Sequence, residues 1–182
     1  MKKIIASLIL AVASLGAYAQ DAFIGGSFGV NRDITDNQTE FTIAPEIGYK
    51  FDSKWSAAVA LAYNYNYNDG RKTNVFKINP YARYTYFATE NNLVNLFVDG
   101  GFGIGFGKTK YEDYDGETVT VWSIGFKPGV ALNLTNKFSI VAHMGFLGYE
   151  GSNNAGEAAG YDKKFGLNFS TMNLNLGFYY NF

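Results

Sequence analysis

The 182-residue sequence contains no cysteine, three prolines and a single histidine. Without cysteine there is neither a disulfide framework nor a thiolate metal site. One histidine cannot build a multi-histidine centre. Charge of one sign is also missing: 15 Lys and Arg stand against 16 Asp and Glu, a formal net charge of -1. That balance gives no electrostatic case for nucleic acid as a partner. Past the first twenty residues no stretch reaches the ~20 apolar residues of a membrane helix. The slightly negative mean hydropathy excludes a bundle of such helices.

What the sequence has instead is 14 Tyr, 16 Phe and 21 Gly. A soluble domain of this length has too little interior for so many rings, whereas a β-barrel in lipid uses them on its outer face. The N-terminus carries Lys2 and Lys3, an apolar stretch from Ile4 to Leu15, and Ala17-Tyr18-Ala19 as a small-x-small cleavage site. This pattern predicts an export signal over residues 1–19 and a mature domain over 20–182. No cysteine follows the apolar stretch, so no lipid anchor is expected.

The rest alternates with period two, as strands with two unlike faces do. Eight segments are predicted: Ala22–Asn31, Phe41–Phe51, Trp55–Asn68, Asn74–Phe87, Leu93–Gly107, Thr118–Leu134, Phe138–Tyr149 and Leu167–Phe182. In the fifth, Val94, Leu96, Val98, Phe102, Ile104 and Phe106 oppose Asn95, Asp99, Gly101, Gly103 and Gly105. In the seventh, Phe138, Ile140, Ala142, Met144 and Phe146 oppose Ser139, His143 and Gly145, with Val141 and Leu147 blurring the contrast. One face carries Phe, Leu, Ile, Tyr and Trp; the other carries Gly, Ala, Ser, Asn and several charges. Eight strands enclose room only for side chains. Small residues and paired charges fit inside, so the large rings are expected outside. The predicted fold is all-β, an eight-stranded antiparallel up-and-down transmembrane barrel.

Short connections (Asp52–Lys54, Ala88–Asn92, Thr135–Lys137) alternate with longer polar ones (Arg32–Glu40, Asp69–Thr73, Lys108–Glu117, Glu150–Lys164). In bacterial barrels the short turns are periplasmic and the long loops extracellular, which places both termini in the periplasm. Tyr49, Phe51, Trp55, Tyr84, Tyr86, Tyr180 and Phe182 mark one aromatic girdle; Tyr63, Tyr65, Tyr67 and Trp122 mark the other. Pro45, Pro80 and Pro128 fall at outward positions, and each removes a ladder donor, so bulges or bends are expected there. The glycines of the fifth segment call for bulky inward neighbours such as Tyr81.

These segments, with Ala17-Tyr18-Ala19 and the terminal run Leu176-Gly177-Phe178-Tyr179-Tyr180-Asn181-Phe182, resemble the eight-stranded OmpA/OmpX-type outer-membrane barrels. Pro45-Glu46-Ile47-Gly48-Tyr49 and Pro80-Tyr81-Ala82-Arg83-Tyr84 resemble descending strands of the small outer membrane protein β-barrel domain proteins. The resemblance implies that Phe178, Tyr180 and Phe182 form a signal for the barrel-assembly machinery. It implies an outer-membrane location and outer-membrane lipids, including lipopolysaccharide, as partners. The peptidoglycan-binding domain of the larger members is not expected.

Glu46, Lys77, Arg83, Asp99 and Lys127 are expected to point inward as a structural ion-pair network, since buried charges must be paired. A gated or proton-linked path is the sharper alternative. His143 is expected as a lumen hydrogen-bonding partner rather than a base. Ser139 shares its face four residues away, which is a poor dyad. The acidic stretch Tyr111–Glu117 lacks EF-hand spacing and reads as a solvated loop. Gly100–Gly107 lies within a strand, so it is no phosphate loop. No cofactor, metal or catalytic set is expected. The function expected is a structural or surface-interaction role through the long loops, with a narrow channel as alternative and a lipid A-modifying enzyme third.

Overall fold

The computed structural model describes residues 21–33, 37–68, 70–111, 115–168 and 174–182, the side chains at 31, 33, 115, 168 and 174 excepted. The predicted signal peptide lies outside these residues, as do Thr171 and Met172 of the predicted eighth segment. Ten strands are present among them: β1 (Ala22–Asp33), β2 (Gln38–Lys50), β3 (Trp55–Asn68), β4 (Arg71–Ala88), β5 (Val94–Lys110), β6 (Asp115–Asn133), β7 (Phe138–Met144), β8 (Phe146–Ser152), β9 (Lys164–Asn168) and β10 (Leu174–Asn181). A five-residue helix, α1 (Asn154–Ala158), lies between β8 and β9.

All neighbours pair antiparallel, and the β1–β10 and β5–β6 ladders close the sheet into an eight-stave barrel. β7 continues as β8 in the seventh stave, and β9 with β10 forms the eighth. Closure pairs the wall all round at the short-turn end; among the described residues β9 pairs with β8 alone, its other side without a ladder. The short turns owe their form to single side chains. Asp52 Oδ1 accepts from the Lys54 and Trp55 N–H groups at 2.7 and 2.8 Å. Thr135 Oγ1 accepts from those of Lys137 and Phe138. The Lys54 and Trp55 N–H groups hold the Asp52 carboxyl below the usual carboxylate range.

At the other end the strands run further than the sequence pattern predicts. β4 starts at Arg71, β5 ends at Lys110, and β6 starts at Asp115. Three of the four long connections are therefore mostly paired strand. Polar alternation continues past the apolar band there, and the contrast on which the segment limits depend is lost.

The outward face carries the apolar residues, among them Phe28, Ile43, Leu61, Phe76, Ile78, Phe102, Ile104, Ile124 and Phe178, all exposed. The inward face is not confined to small residues. Phe23, Phe97 and Tyr179 are buried, with Tyr81 packed against them. Each ring lies over a glycine on a neighbouring strand. A Cβ on Gly48 would meet Phe23, one on Gly129 would meet Phe97, one on Gly25 would meet Tyr179, and one on Gly101 would meet Tyr81. Ring and glycine together fill the volume that two medium side chains would. The expectation that large rings face outward is corrected at Phe23, Phe97 and Tyr179, whereas Tyr81 lies inward over a glycine of β5 as expected.

The proline positions differ from one another. At Pro45 the ladder to β3 pauses between Ile43↔Tyr63 and Glu46↔Ala60, in unchanged register. At Pro80 the ladder to β5 pauses between Ile78↔Ile104 and Tyr81↔Gly101, also unchanged. The missing donor costs a bond without inserting a residue, so no bulge forms at either site. The bulge of β4 sits between Thr85 and Phe87 instead, and it leaves both Tyr86 and Phe87 exposed.

At Pro128 the register does shift, from Gly129↔His143 with β7 to Phe126↔Leu147 with β8. The extra residue is accommodated at Gly145, whose φ of 82° suits glycine. One inserted residue reverses the face of everything after it. Phe146, expected outward, therefore turns inward over Gly125 and Gly148, while Leu147 is exposed on the outside.

Candidate functional site

The barrel interior holds two layers. The first, nearer the short turns, is built on Arg83 of β4 and Asp99 of β5, which face each other in the ladder. Arg83 Nε and Nη2 donate to the two carboxylate oxygens of Asp99 at 2.7 and 2.8 Å, a bidentate pair. Both residues are buried. The guanidinium carbon lies 3.8 Å from the centroid of the Phe97 ring, a cation–π stack. Nη2 also approaches the Tyr179 hydroxyl at 3.2 Å. His143 Nε2 reaches Asp99 Oδ2 at 2.7 Å, with its imidazole edge-on to Phe97. Tyr81 donates its hydroxyl to Glu46 Oε1 at 2.9 Å.

Of the five residues expected to form one network, the structure brings Glu46, Arg83 and Asp99 into this layer. Three tyrosine and histidine groups link them, as Tyr81, Tyr179 and His143. Lys127 stands opposite Asp99 in the ladder but is exposed and makes no ion pair with it among the described residues. Its ammonium lies 6.0 Å from the Phe146 ring. Asp99 is already saturated by Arg83 and His143, which removes the reason for Lys127 to bend toward it. Lys77 lies higher in the barrel, its stem over Gly105 and its ammonium 5.4 Å from the Tyr161 ring. Tyr179 was legible only as an inward position of the last segment. Nothing in its spacing marks it as an arginine partner.

The second layer is supplied by residues 150–164, expected to be a long polar connection. Asn153 caps α1, accepting from Gly156 N at 2.9 Å. The same oxygen accepts from Thr120 N at 3.0 Å, and Asn153 Nδ2 donates to Thr118 O at 2.8 Å, so the cap is stitched to β6. Ala159 is buried against Val75, Val119 and Val121, with Ala155 and Tyr161 beside them. Arg71 donates to the Ala158 carbonyl, and Ser152 Oγ donates to that of Tyr161. Burial, then the charge of Glu40, push the Tyr161 hydroxyl up to about 12. Lys163 pairs with Glu157 at 2.5 Å on the exposed side. The sequence signal for this cap was the apolar and small content of 155–161 within an otherwise polar stretch.

Between the layers lies a cavity of about 100 Å³, lined by Lys77, Ser123, Glu150, Tyr161, Asp162 and Lys164 among others. A water takes about 30 Å³ of liquid volume, so this space holds a few waters. The lumen therefore offers packed layers with a small polar gap, and in the first layer the charge of Arg83 is neutralised by Asp99.

The family described as outer membrane protein beta-barrel domain matches residues 5–182. Among solved structures the chain is similar to Ail, the attachment invasion locus protein of Yersinia pestis. Identity there is 17%, over 88% of this chain and 92% of that one, with a TM-score of 0.41. No curated protein matches the chain.

Proposed function

Because the chain belongs to the outer membrane protein β-barrel family, we propose that it works as a surface-interaction protein of the outer membrane. In this reading the short turns and both termini face the periplasm, and the long-loop end faces outward. The observation that carries the proposal is the double filling of the lumen. Arg83, Asp99, His143 and Tyr179 close one level. The α1 cap closes the other. A barrel filled in this way leaves its rim and cap as the surface available for contact.

The cap supports the same reading. Ordering residues 150–164 against the lumen costs conformational entropy. The return is a fixed surface bearing Glu157, Lys163 and Gly160 on its exposed side. Phe178, Tyr180 and Phe182 sit on the outward face of the last stave, with Tyr180 edge-on to Phe138 and Phe182. That is where an assembly machine reading an exposed C-terminal strand would meet them. His143 is turned into the lumen against Asp99, away from the lipid face. This position favours a hydrogen-bonding role over lipid A chemistry.

The test pairs two measurements. Cells displaying the barrel, with a single cysteine at Gly160, are labelled with a membrane-impermeant maleimide and assayed for adhesion to immobilised surface proteins. Purified barrel is recorded in planar bilayers. Labelling, with adhesion lost when residues 154–162 are replaced by a glycine-serine linker, supports the proposal. Stable unitary conductance of the native protein overturns it in favour of the channel.

A further inference from the structure

The cavity between the two layers is lined by four charged side chains, Lys77, Glu150, Asp162 and Lys164. Asp162 and Lys164 pair with each other at 3.6 Å. Lys77 and Glu150 have no ion-pair partner among the described residues. One cation and one carboxylate are thus left facing a single space. An unpaired charge inside a barrel is costly, and the ordinary remedy is for two opposite ones to meet.

The fold keeps these two apart. Lys77 of β4 stands opposite Gly105 of β5, which stands opposite Val121 of β6. Glu150 of β8 stands opposite Ser123 of β6. β4 and β8 are therefore three ladder steps apart, about 14 Å along the wall. The Lys77 stem lies over Gly105, and its ammonium is 5.4 Å from the centroid of the Tyr161 ring. The cap fixes that ring in place, because Ser152 Oγ donates to the Tyr161 carbonyl and Asn153 is bonded to Thr118 and Thr120. Lys127 does not line the cavity, and its ammonium lies beside the Phe146 ring instead.

The chemistry of the gap defines what fills it. A simple anion would neutralise Lys77 and leave Glu150 alone; a simple cation would do the reverse. A molecule carrying both a carboxylate and an ammonium satisfies the two ends at once. The volume of about 100 Å³ is about three waters, which is the size of glycine or alanine. Ser123 supplies a hydroxyl to the lining, and Gly151 and Gly160 supply backbone. Gly160 is exposed, and a Cβ added to it would meet nothing within 4 Å, so the mouth of the cavity lies beside it.

We propose that this cavity is a binding site for a small α-amino acid, with its carboxylate held by Lys77 and its ammonium by Glu150. The site goes beyond surface contact: it needs no partner protein and stands whichever side of the membrane the cap faces. The test is equilibrium dialysis of radiolabelled glycine against purified barrel in dodecyl maltoside at neutral pH, with unlabelled acetate and methylammonium as competitors. The expected result is saturable binding with a dissociation constant on the order of 1 mM. Acetate and methylammonium, each carrying half of the ligand's charge, should compete at least about tenfold more weakly than unlabelled glycine. Lys77→Met and Glu150→Gln, each checked for folding by heat-modifiable migration, should each weaken binding by about tenfold or more. Lys54→Gln, at the short-turn end, should leave it unchanged. Absence of saturable glycine binding by the native barrel overturns the proposal, as does either half-ligand competing as strongly as glycine; neither result depends on a variant. Undiminished binding by either folded variant overturns it too.

Discussion

Replacing Arg83 with Met keeps most of the side chain's volume over the Phe97 ring and removes its charge. Asp99 would then stay buried with only His143 Nε2 within reach, 2.7 Å away. The Tyr179 hydroxyl would lose its contact with Nη2. Breaking a buried pair by deleting one partner costs about 3–5 kcal/mol, because the remaining charge is uncompensated. At a urea dependence of about 2 kcal/mol per molar, that is a fall of roughly 2 M in the unfolding midpoint. The double variant Arg83→Met, Asp99→Leu removes both charges and should recover much of the loss, since an apolar replacement of a whole pair is often near neutral. The assay is urea unfolding in lipid vesicles, followed by Trp55 and Trp122 fluorescence and by heat-modifiable gel migration. A stability for Arg83→Met within about 0.5 kcal/mol of native, or a double variant as unstable as the sum of the single ones, would refute the buried-pair reasoning.

Two further changes probe other parts of the structure. Gly145→Val forces a β-branched residue into a φ of 82° at the point where the stave reverses its faces, and should cost about 1–3 kcal/mol by the same urea assay. Gly166→Ala, where an added Cβ meets nothing within 4 Å, should cost less than about 1 kcal/mol; equal costs would mean that the reversal is not pinned at Gly145. The raised Tyr161 hydroxyl favours the protonated, folded cap. Its contribution is complete below the ordinary value of 10.0 and is lost as the pH rises toward about 12. The protection of the 154–161 amides, relative to their intrinsic base-catalysed exchange, should therefore fall across that window, and a Tyr161→Phe protein that shows the same fall would contradict the assignment.

Much of the barrel was legible in the sequence because its signal is repeated. A period of two over eight segments sets the strand number, and closure follows from the absence of tolerable edges in lipid. Local exceptions were not legible, and each has a physical cause. The face reversal at Gly145 depends on one residue's φ, which the sequence pattern does not display; Val141 and Leu147 registered it only as lost contrast. Inward Phe23, Phe97 and Tyr179 depend on a glycine on the neighbouring strand, so they require the register to be known first. Arg83 and Asp99 could be placed on one face from parity alone. That His143 and Tyr179 complete their layer, and that Lys77 and Lys127 stand apart, depends on strand stagger around the barrel.

The wall has an apolar outside and a packed inside that holds the charges, with the seventh stave switching faces midway. Single tryptophans at Ile104, Leu147, Phe97 and Phe146, in a chain with Trp55 and Trp122 replaced by Phe, report each face by quenching from brominated lipid. The structure predicts strong quenching at positions 104 and 147 and little at 97 and 146. Quenching at 97 and 146 equal to that at 104 and 147 would contradict it.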